Sequence, residues 1–258
     1  MTGAIPISKE TVTMFEAKIK ADTLREIIGV VSTLVEEIKL NIDTDGLSLR
    51  AVDPAHVAMV DLSLKAGAFE QLKADKTEIG IDIDKLKEVL KLAKVGDILT
   101  MKHDEDKNKL VITVENITRR MSLVDTTGMS DPKVPNLNLS AKVKLKSSEL
   151  SQGIKASESV SDHIAIVVGP DGFELKSEGD TDSVELKLPK DLLEELEIRE
   201  PVKSLYSLEY FSNMIRSVGT AEFVTLYLGN NYPIRIEFDL AGSEGHAVYL
   251  LAPRLENG

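Results

Sequence analysis

The 258-residue sequence predicts an α+β protein of two similar domains, each with two helices packed against antiparallel sheets. Two observations lead to this fold class. Strand-like segments outnumber helix-like segments and follow one another directly along the chain, which favours antiparallel pairing. In addition, the order strand, helix, several strands, helix, several strands occurs twice, at a spacing of about half the chain.

The duplication is clearest at two turns that are each followed by alternating apolar and polar residues. Asp45–Arg50 and Asp171–Lys176 both begin with Asp-Gly, which is typical of a turn that leads into a half-buried strand. Four further pairs of strand-like segments match in the same order: 60–64 with 184–188, 98–101 with 223–227, 110–114 with 234–238, and 121–124 with 247–250. Five matches in one order indicate an internal repeat.

Two helical patterns accompany the strands of each half. Apolar residues at helical spacing predict helices over 24–38, 86–93, 150–157 and 208–218. The run Thr23–Glu26 has the form of a capping box, and Ser207 is expected to cap the last helix, which Gly219 would end. Ser147 or Ser148 is expected to cap the third helix.

The segment between the halves reads as a linker, because Pro132 and Pro135 cannot donate hydrogen bonds to a strand ladder. The sequence therefore predicts four parts. They are an extension over 1–13 that is expected to be disordered, a first domain over 14–125, a connector over 126–140 and a second domain over 141–258.

Composition excludes several classes of protein. There are 31 Lys and Arg against 43 Asp and Glu, a net charge of −12, which argues against a free-standing, high-affinity nucleic-acid binder. The absence of Cys excludes disulfides, thiolate metal sites and Cys nucleophiles. No apolar run is long enough to span a bilayer, and the N-terminus lacks the pattern of a signal peptide. We expect a soluble cytoplasmic protein.

Catalytic motifs are not found in the sequence: it has no P-loop, dinucleotide fingerprint, zincin motif or nucleophile elbow. The four histidines lie far apart. The carboxylates Asp104–Asp106, Asp180 and Asp182 lie between strand patterns, where solvated turns are the better interpretation than a metal site. We expect no enzyme activity, no cofactor and no metal. A metal-dependent hydrolase that uses these carboxylates, and an interaction scaffold without a link to DNA, stay open as alternatives.

Positive charge is scarce but occurs on all four predicted helices. Lys87, Lys91 and Lys94 form one stripe on the second helix. The other helices contribute one cation each, namely Arg25, Lys155 and Arg216. If all four helices faced one channel in an oligomer, these residues would line it with positive charge.

Three segments carry a resemblance to a known family. The segment Gly46–Leu62, which continues to Phe69, resembles the signature of the PCNA family, the sliding clamps of archaea and eukaryotes. Met14–Ala17 is similar to the start of that family, and Leu251–Leu255 is similar to its C-terminal motif. The two-fold repeat with a connector that contains proline also agrees. The absence of Cys suits an archaeal member.

The resemblance implies a ring of the DNA clamp fold, with sheets outside and helices lining the hole. Three identical chains would join head to tail, and the protein would tether DNA polymerase and other replication and repair enzymes to duplex DNA. The subunit joint implied lies between two strands, with Ile117, Arg119, Met121 and Leu123 on one and Val184, Leu186 and Leu188 on the next chain. A subunit of a heterotrimeric or checkpoint-type clamp of the same fold is the alternative.

Two further sites follow from the resemblance. Contacts to duplex phosphates, independent of base sequence, are implied for Arg25, Lys85, Lys87, Lys91, Lys94, Lys155 and Arg216. Short peptide motifs of DNA polymerase, the clamp loader, flap endonuclease and DNA ligase would bind a pocket lined by Val52, His56, Val57, Met59, Val134, Pro135, Leu137, Tyr232, Pro233, Ala252, Pro253 and Arg254. The location implied is the nucleoid of an archaeal cell.

Overall fold

The computed structural model describes residues 14–219 and 221–255 and confirms the predicted α+β class. The described residues form eighteen strands and four helices, all strand pairs within the sheets are antiparallel, and the helices lie against the sheets. The predicted N-terminal extension lies outside the described residues. None of the described helices is long and apolar enough to cross a membrane.

Each half of the chain has nine strands and two helices in the same order. The first half consists of β1 (Phe15–Lys20), α1 (Ala21–Val31), β2 (Glu37–Asp43), β3 (Gly46–Val52), β4 (Ala58–Lys65), β5 (Gln71–Ala74), β6 (Thr77–Asp82), α2 (Ile83–Leu90), β7 (Ile98–Asp104), β8 (Lys109–Val114) and β9 (Ile117–Ser122). The second half consists of β10 (Ala141–Lys146), α3 (Ser147–Ser157), β11 (His163–Gly169), β12 (Gly172–Glu178), β13 (Ser183–Pro189), β14 (Glu195–Ile198), β15 (Val202–Ser207), α4 (Leu208–Ser217), β16 (Phe223–Leu228), β17 (Ile234–Leu240) and β18 (Gly245–Leu251).

The strands form three sheets, of which the largest spans both halves. Its nine strands run β14-β10-β16-β17-β18-β4-β3-β2-β6, so β18 of the second half pairs directly with β4 of the first. The other sheets have the orders β5-β1-β7-β8-β9 and β13-β12-β11-β15. The two halves are therefore joined by a continuous hydrogen-bonded ladder as well as by the connector.

The helices form one layer on the apolar face of the sheets. Helix α1 contacts α2 within the first half and α4 of the second half, and α3 contacts α4. Their apolar residues, such as Leu24, Leu150 and Phe211, are buried in the core together with the inward side chains of the strands. The opposite face of the large sheet carries the connector, as described below.

Two equivalent glycines explain why both halves contain the same tight turn. Gly46 and Gly172 begin β3 and β12 with φ of 144° and 149°, which L side chains rarely adopt. A Cβ atom would lie 2.0 Å from the Leu64 carbonyl oxygen at the first site and 2.2 Å from the Leu188 carbonyl oxygen at the second. The neighbouring strand therefore packs against the backbone at both turns.

The predicted helix boundaries are partly wrong. Helix α1 begins at Ala21, which places Thr23 inside the first turn, and the helix ends at Val31 although the apolar spacing continues to Ile38 in β2. The predicted serine caps make no capping hydrogen bond either, since Lys146 and Ser207 occupy the N-cap positions without side-chain bonds. The first N–H groups of α1, α3 and α4 instead donate to the carbonyls of Asp97, Glu222 and Asp162, whereas α2 has a side-chain cap, because Asp82 accepts the Lys85 N–H at 3.0 Å.

The strand register corrects one of the five matches of the repeat. Ile112 and Val114 of β8 correspond to Ile236 and Phe238 of β17. Their partners are Arg119 and Ile117 in β9, and Tyr249 and Ala247 in β18. The register thus aligns Ile117 with Ala247, whereas the sequence match aligned Met121 with Ala247. This shift of four residues arises because the β17–β18 turn contains an additional 3-10 turn.

Candidate nucleic-acid and peptide interfaces

The helix layer carries the residues predicted to contact DNA. Lys85, Lys87, Lys91 and Lys94 lie on α2 or just after it, and their side chains are between 43% and 77% exposed. Arg25, Lys155 and Arg216 lie on α1, α3 and α4. Because the helices form one layer, all seven cations belong to the same side of the molecule.

Most of these cations already have a carboxylate partner. Lys85 lies 2.7 Å from Asp82 and Lys94 lies 3.3 Å from Glu115. The other ion pairs are Arg25–Asp22, Lys87–Asp84, Lys91–Glu88 and Arg216–Glu158. Exposed pairs of this kind contribute about 0–1 kcal/mol, so a phosphate oxygen can compete for the cation. The positive and negative charges of the helix layer therefore nearly cancel, and we expect the layer to bind a polyanion weakly.

Arg25 differs from the other cations in being held by the backbone. Its guanidinium donates to the carbonyl oxygen of Leu90 at 3.0 Å and also to that of Ala93, at the C-terminal end of α2. The Leu90 carbonyl also accepts the Ala93 N–H at 3.3 Å, and Ala93 lies in the turn that follows α2. Arg25 thus joins α1 to α2, and its contact with DNA stays a prediction that has to compete with this role.

The outer face of the large sheet carries part of the predicted peptide pocket. Met59 pairs with Leu250, and Val52 pairs with Met59, so these three side chains share the face opposite the helices. Met59 and Leu250 are 6% exposed, and Val248 on the same face is 7% exposed. Together they form a small apolar floor outside the main core.

The loop after β3 and the C-terminal tail border this floor. The Ala252 N–H donates to the Val57 carbonyl at 2.8 Å, which brings the tail against the loop that contains His56. Val57 is 37% exposed and Tyr232 is 47% exposed. Ala252, Pro253 and Pro233 are half-buried.

Arg254 is hydrogen-bonded to the second half of the chain. Its backbone N–H donates to the Leu205 carbonyl at 2.7 Å in β15, and its guanidinium donates to Asp162 at 3.2 Å. The structure therefore uses Arg254 to fasten the tail to the second half, and a direct contact between its side chain and a peptide stays untested.

The connector crosses the same outer face. Near its start, Lys39 of β2 lies 3.0 Å from Asp131, and Asn41 donates to the same carboxyl at 3.2 Å. At its end, Ser140 donates to the Leu228 carbonyl of β16 at 2.8 Å. Between these anchors Val134 and Leu137 are half-buried, whereas Pro135 is exposed. The connector thus spans the strands from β2 to β16, with the apolar floor between its ends.

Lys39 is a buried cation that the sequence prediction missed. It is 8% exposed and lies 3.6 Å from Glu78 as well as next to Asp131. The hydrogen bond to Asp131 raises the pKa of Lys39 and outweighs the opposite effect of burial. Partial burial opposes ionisation of Asp131, but the bonds from Lys39 and Asn41 hold the pKa of this carboxyl below its ordinary value.

Four more residues of this region were not predicted from the sequence, namely Val248, Leu250, Asp53 and Tyr210. Residues 248–251 read as a continuous apolar run, so alternation could not separate the two faces of β18. Asp53 and Tyr210 are far apart in sequence, and their hydrogen bond of 2.8 Å has no local signal.

The predicted joint residues lie on two strands with free edges, except for Leu123, which follows β9 directly. Strand β9 pairs only with β8, and β13 pairs only with β12, among the described strands. By the internal repeat these two strands correspond to β18 and β4, which do pair with each other. Ile117 is 51% exposed, Arg119, Leu123, Val184 and Leu186 are half-buried, and Met121 and Leu188 are buried.

No group of three or more His, Cys, Asp or Glu side chains that could hold a metal ion occurs within residues 14–219 and 221–255. Asp104, one of the carboxylates singled out in the sequence, pairs with Lys107 at 3.8 Å.

Comparison with known proteins identifies close relatives. A "DNA polymerase sliding clamp" from Halobacterium salinarum is 40% identical over 247 residues, covering 95% of this chain and 100% of its own. A protein of the same description from Methanocella arvoryzae is 41% identical over 245 residues, with the same coverage.

Solved structures agree with these relatives. PCNA of A. fulgidus, bound to the C-terminal region of FEN-1, is 28% identical with a TM-score of 0.88, and the match covers 95% of this chain and 100% of that one. PCNA of Thermococcus kodakaraensis is 26% identical with a TM-score of 0.86, covering 93% and 100%. The models of the N-terminal and C-terminal domains of proliferating cell nuclear antigen match residues 14–130 and 133–254. The chain belongs to the proliferating cell nuclear antigen family.

Proposed function

We propose that the chain is a DNA sliding clamp, which closes as a homotrimeric ring around duplex DNA and holds replication and repair enzymes on it. The single observation that supports this proposal most is the pair of free edges on β9 and β13. They are the counterparts of the two strands that already join the halves of one chain. Relatives described as DNA polymerase sliding clamps support the same proposal.

The repeat suggests a register for the joint between chains. Ala247 pairs with Leu62, and Tyr249 pairs with Val60, at the junction inside the chain. The corresponding residues place Ile117 opposite Leu186 of the next copy, and Arg119 opposite Val184. Each copy then presents a different edge on each side, a head-to-tail contact that closes into a ring if the rotation fits. Closure would also cover the edges that a free sheet leaves open.

An apolar patch beside β9 supports burial at this joint. Leu92, Val95 and Ile98 lie at the end of α2 or the start of β7 and are 46%, 88% and 47% exposed. The ion pair between Lys94 and Glu115 places this segment next to the turn before β9. In the chain itself α4 packs against α1 at the equivalent position, so α2 would pack against α3 of the next copy.

The helix layer would line the hole of such a ring. Its paired cations would touch only phosphates, without base contacts, so binding would be weak, salt-sensitive and independent of sequence. Weak contacts suit a ring that is held on DNA by its closure and has to slide. The outer surface would keep most of the net charge of −12.

The outer pocket would receive the short peptides of partner enzymes. Apolar side chains at its floor and the backbone groups of the connector and tail are the two features that peptide recognition would use. The solved PCNA that holds the C-terminal region of FEN-1 supports this class of partner. DNA polymerase, the clamp loader and DNA ligase belong to the same proposal, as do the absence of catalysis and a place in the nucleoid of an archaeal cell.

Light scattering and a processivity assay test this function together. A mass near three times the 28.3 kDa of one chain is expected, together with longer products from an archaeal replicative polymerase on primed circular single-stranded DNA. A matched variant carries Glu at the four lysines of the α2 segment, Lys85, Lys87, Lys91 and Lys94. It should keep the mass and lose the stimulation.

Two other results contradict the proposal. A persistent monomer without stimulation favours a subunit of a heterotrimeric clamp, which would need different chains to close. Full stimulation by the four-lysine variant contradicts the DNA-facing role of α2.

A further inference from the structure

The loop between β3 and β4 is built around a buried carboxylate. Asp53 is 2% exposed, and its side chain accepts the backbone N–H groups of Ala55 at 3.0 Å, Val57 at 2.8 Å and Ala58 at 2.7 Å. A buried carboxylate is tolerated only with such donors around it. The loop therefore has this shape because its N–H groups converge on one side chain.

The carboxylate also holds the loop in an uncommon conformation. The His56 N–H donates to the Asp53 carbonyl at 2.9 Å, and His56 has a φ of 58°. This left-handed conformation is unfavourable for residues other than glycine. The hydrogen bonds on either side of His56 offset that cost, so the loop depends on them.

A fourth donor comes from the other half of the chain. The Tyr210 hydroxyl of α4 donates to Asp53 at 2.8 Å. Burial opposes ionisation of Asp53, but these four hydrogen bonds outweigh it and lower its pKa. The hydrogen bond to Asp53 in turn raises the pKa of Tyr210. The charged carboxylate thus connects the loop to the helix layer across the junction of the two halves.

The loop supports the rest of the pocket. The Val57 carbonyl accepts the Ala252 N–H at 2.8 Å, so the position of the C-terminal tail depends on the loop. Val57 remains 37% exposed beside the apolar floor. A change in the loop would therefore move two walls of the pocket together.

We propose that Asp53 is a positioning residue of the peptide pocket, and that it holds the loop and the tail in the shape that receives a partner through its bonds to the loop N–H groups and to Tyr210. This inference rests on the proposed function. Asn at this site would present an NH₂ group where the structure has only donors, so at least one loop N–H would lose its acceptor.

Fluorescence anisotropy with a labelled C-terminal peptide of A. fulgidus FEN-1 tests the proposal on the full-length chain. Asp53→Asn is expected to weaken peptide binding at least tenfold, and Tyr210→Phe, which removes one donor, about two- to fivefold. Asp43→Asn is the matched control. Its carboxyl accepts the Asp45 N–H at 2.8 Å in another turn of the same half, and it should bind as the wild type does.

Hydrogen exchange distinguishes a local effect on the loop from a general loss of stability. In both variants the amides of residues 55–58 should exchange faster, while those of the central strands β17 and β18 keep the wild-type rate. The solution mass should not change. If Asp53→Asn does not fold, Tyr210→Phe still provides both measurements.

Equal peptide affinity in the wild type, Asp53→Asn and Tyr210→Phe would overturn the inference and leave the proposed function intact. Faster exchange throughout the variants would also overturn it, because Asp53 would then only stabilise the fold. A wild-type chain that does not bind the peptide would remove the pocket from the proposed function, and this inference with it.

Discussion

Shortening Ile117 to alanine tests the joint proposed between chains. Its side chain is 51% exposed in the single chain and would lie opposite Leu186 of the next copy. Ile117→Ala should therefore weaken association while leaving the fold of each chain intact, because β9 keeps its ladder to β8.

The size of the effect follows from the exposed half of the side chain. Burying a whole isoleucine contributes about 2 kcal/mol, so the part left for the joint contributes about 1 kcal/mol. A closed ring of three copies has three such joints. The trimer should lose about 3 kcal/mol relative to three monomers, which is roughly a 100-fold change in the dissociation constant.

A dilution series followed by sedimentation equilibrium measures this change. Met14→Ala is a suitable control, since Met14 is 47% exposed but precedes β1, away from the edge of β9. Dissociation of Ile117→Ala at the wild-type concentration would refute the joint. An equal shift in the control would show that the effect is not specific to that edge.

Three further predictions concern the joint, the connector and the core. Because the chain has no native Cys, the double variant Ile117→Cys, Leu186→Cys should form disulfide-linked oligomers on mild oxidation, visible on a non-reducing gel, and neither single variant should form more than dimers. Asp131 has a lowered pKa, so its stabilising effect is present above its unfolded pKa of about 3.9 and is lost as the pH falls below that value. Asp131→Asn should thus lower the urea midpoint at pH 7 and match the wild type near pH 2, and a constant difference at both values would contradict the ion pair with Lys39. The buried Tyr249 hydroxyl donates to the Val30 carbonyl at 2.7 Å, and its loss in Tyr249→Phe should cost about 1 kcal/mol, or a fall in Tm of about 2–4 °C by calorimetry.

Local patterns were sufficient to predict the repeat and its hairpins. Alternating residues after Asp45 and Asp171 describe strands with one buried face, and the glycine that follows each aspartate is required by the close approach of the next strand. The number of helices was also predicted from a local pattern, namely apolar residues at helical spacing. The end of α1 was not, because the apolar residues of the following turn and of β2 continue the helical spacing by coincidence.

The pairing of strands that lie far apart along the chain could not be predicted from the sequence. The β18–β4 ladder joins residues that lie far apart along the chain, and neither strand has a sequence pattern that identifies the other as its partner. The same holds for the bond between Asp53 and Tyr210, which depends on how the two halves meet. The resemblance supplied candidate residues for each surface, whereas the ion pairs that neutralise the helix layer depend on side-chain positions that the sequence pattern does not specify.

The ladder between β18 and β4 differs from its proposed counterpart between chains in one respect, since the connector covalently links the two halves that carry these strands. A tether of this length keeps the strands at a local concentration of the order of millimolar, whatever the concentration of the protein in the cell. The junction inside a chain would therefore reclose almost at once after a fluctuation, whereas a β9–β13 junction has no such tether. In the proposed ring, the three junctions between chains would therefore open more readily than the three inside chains, and DNA would enter at a junction between chains.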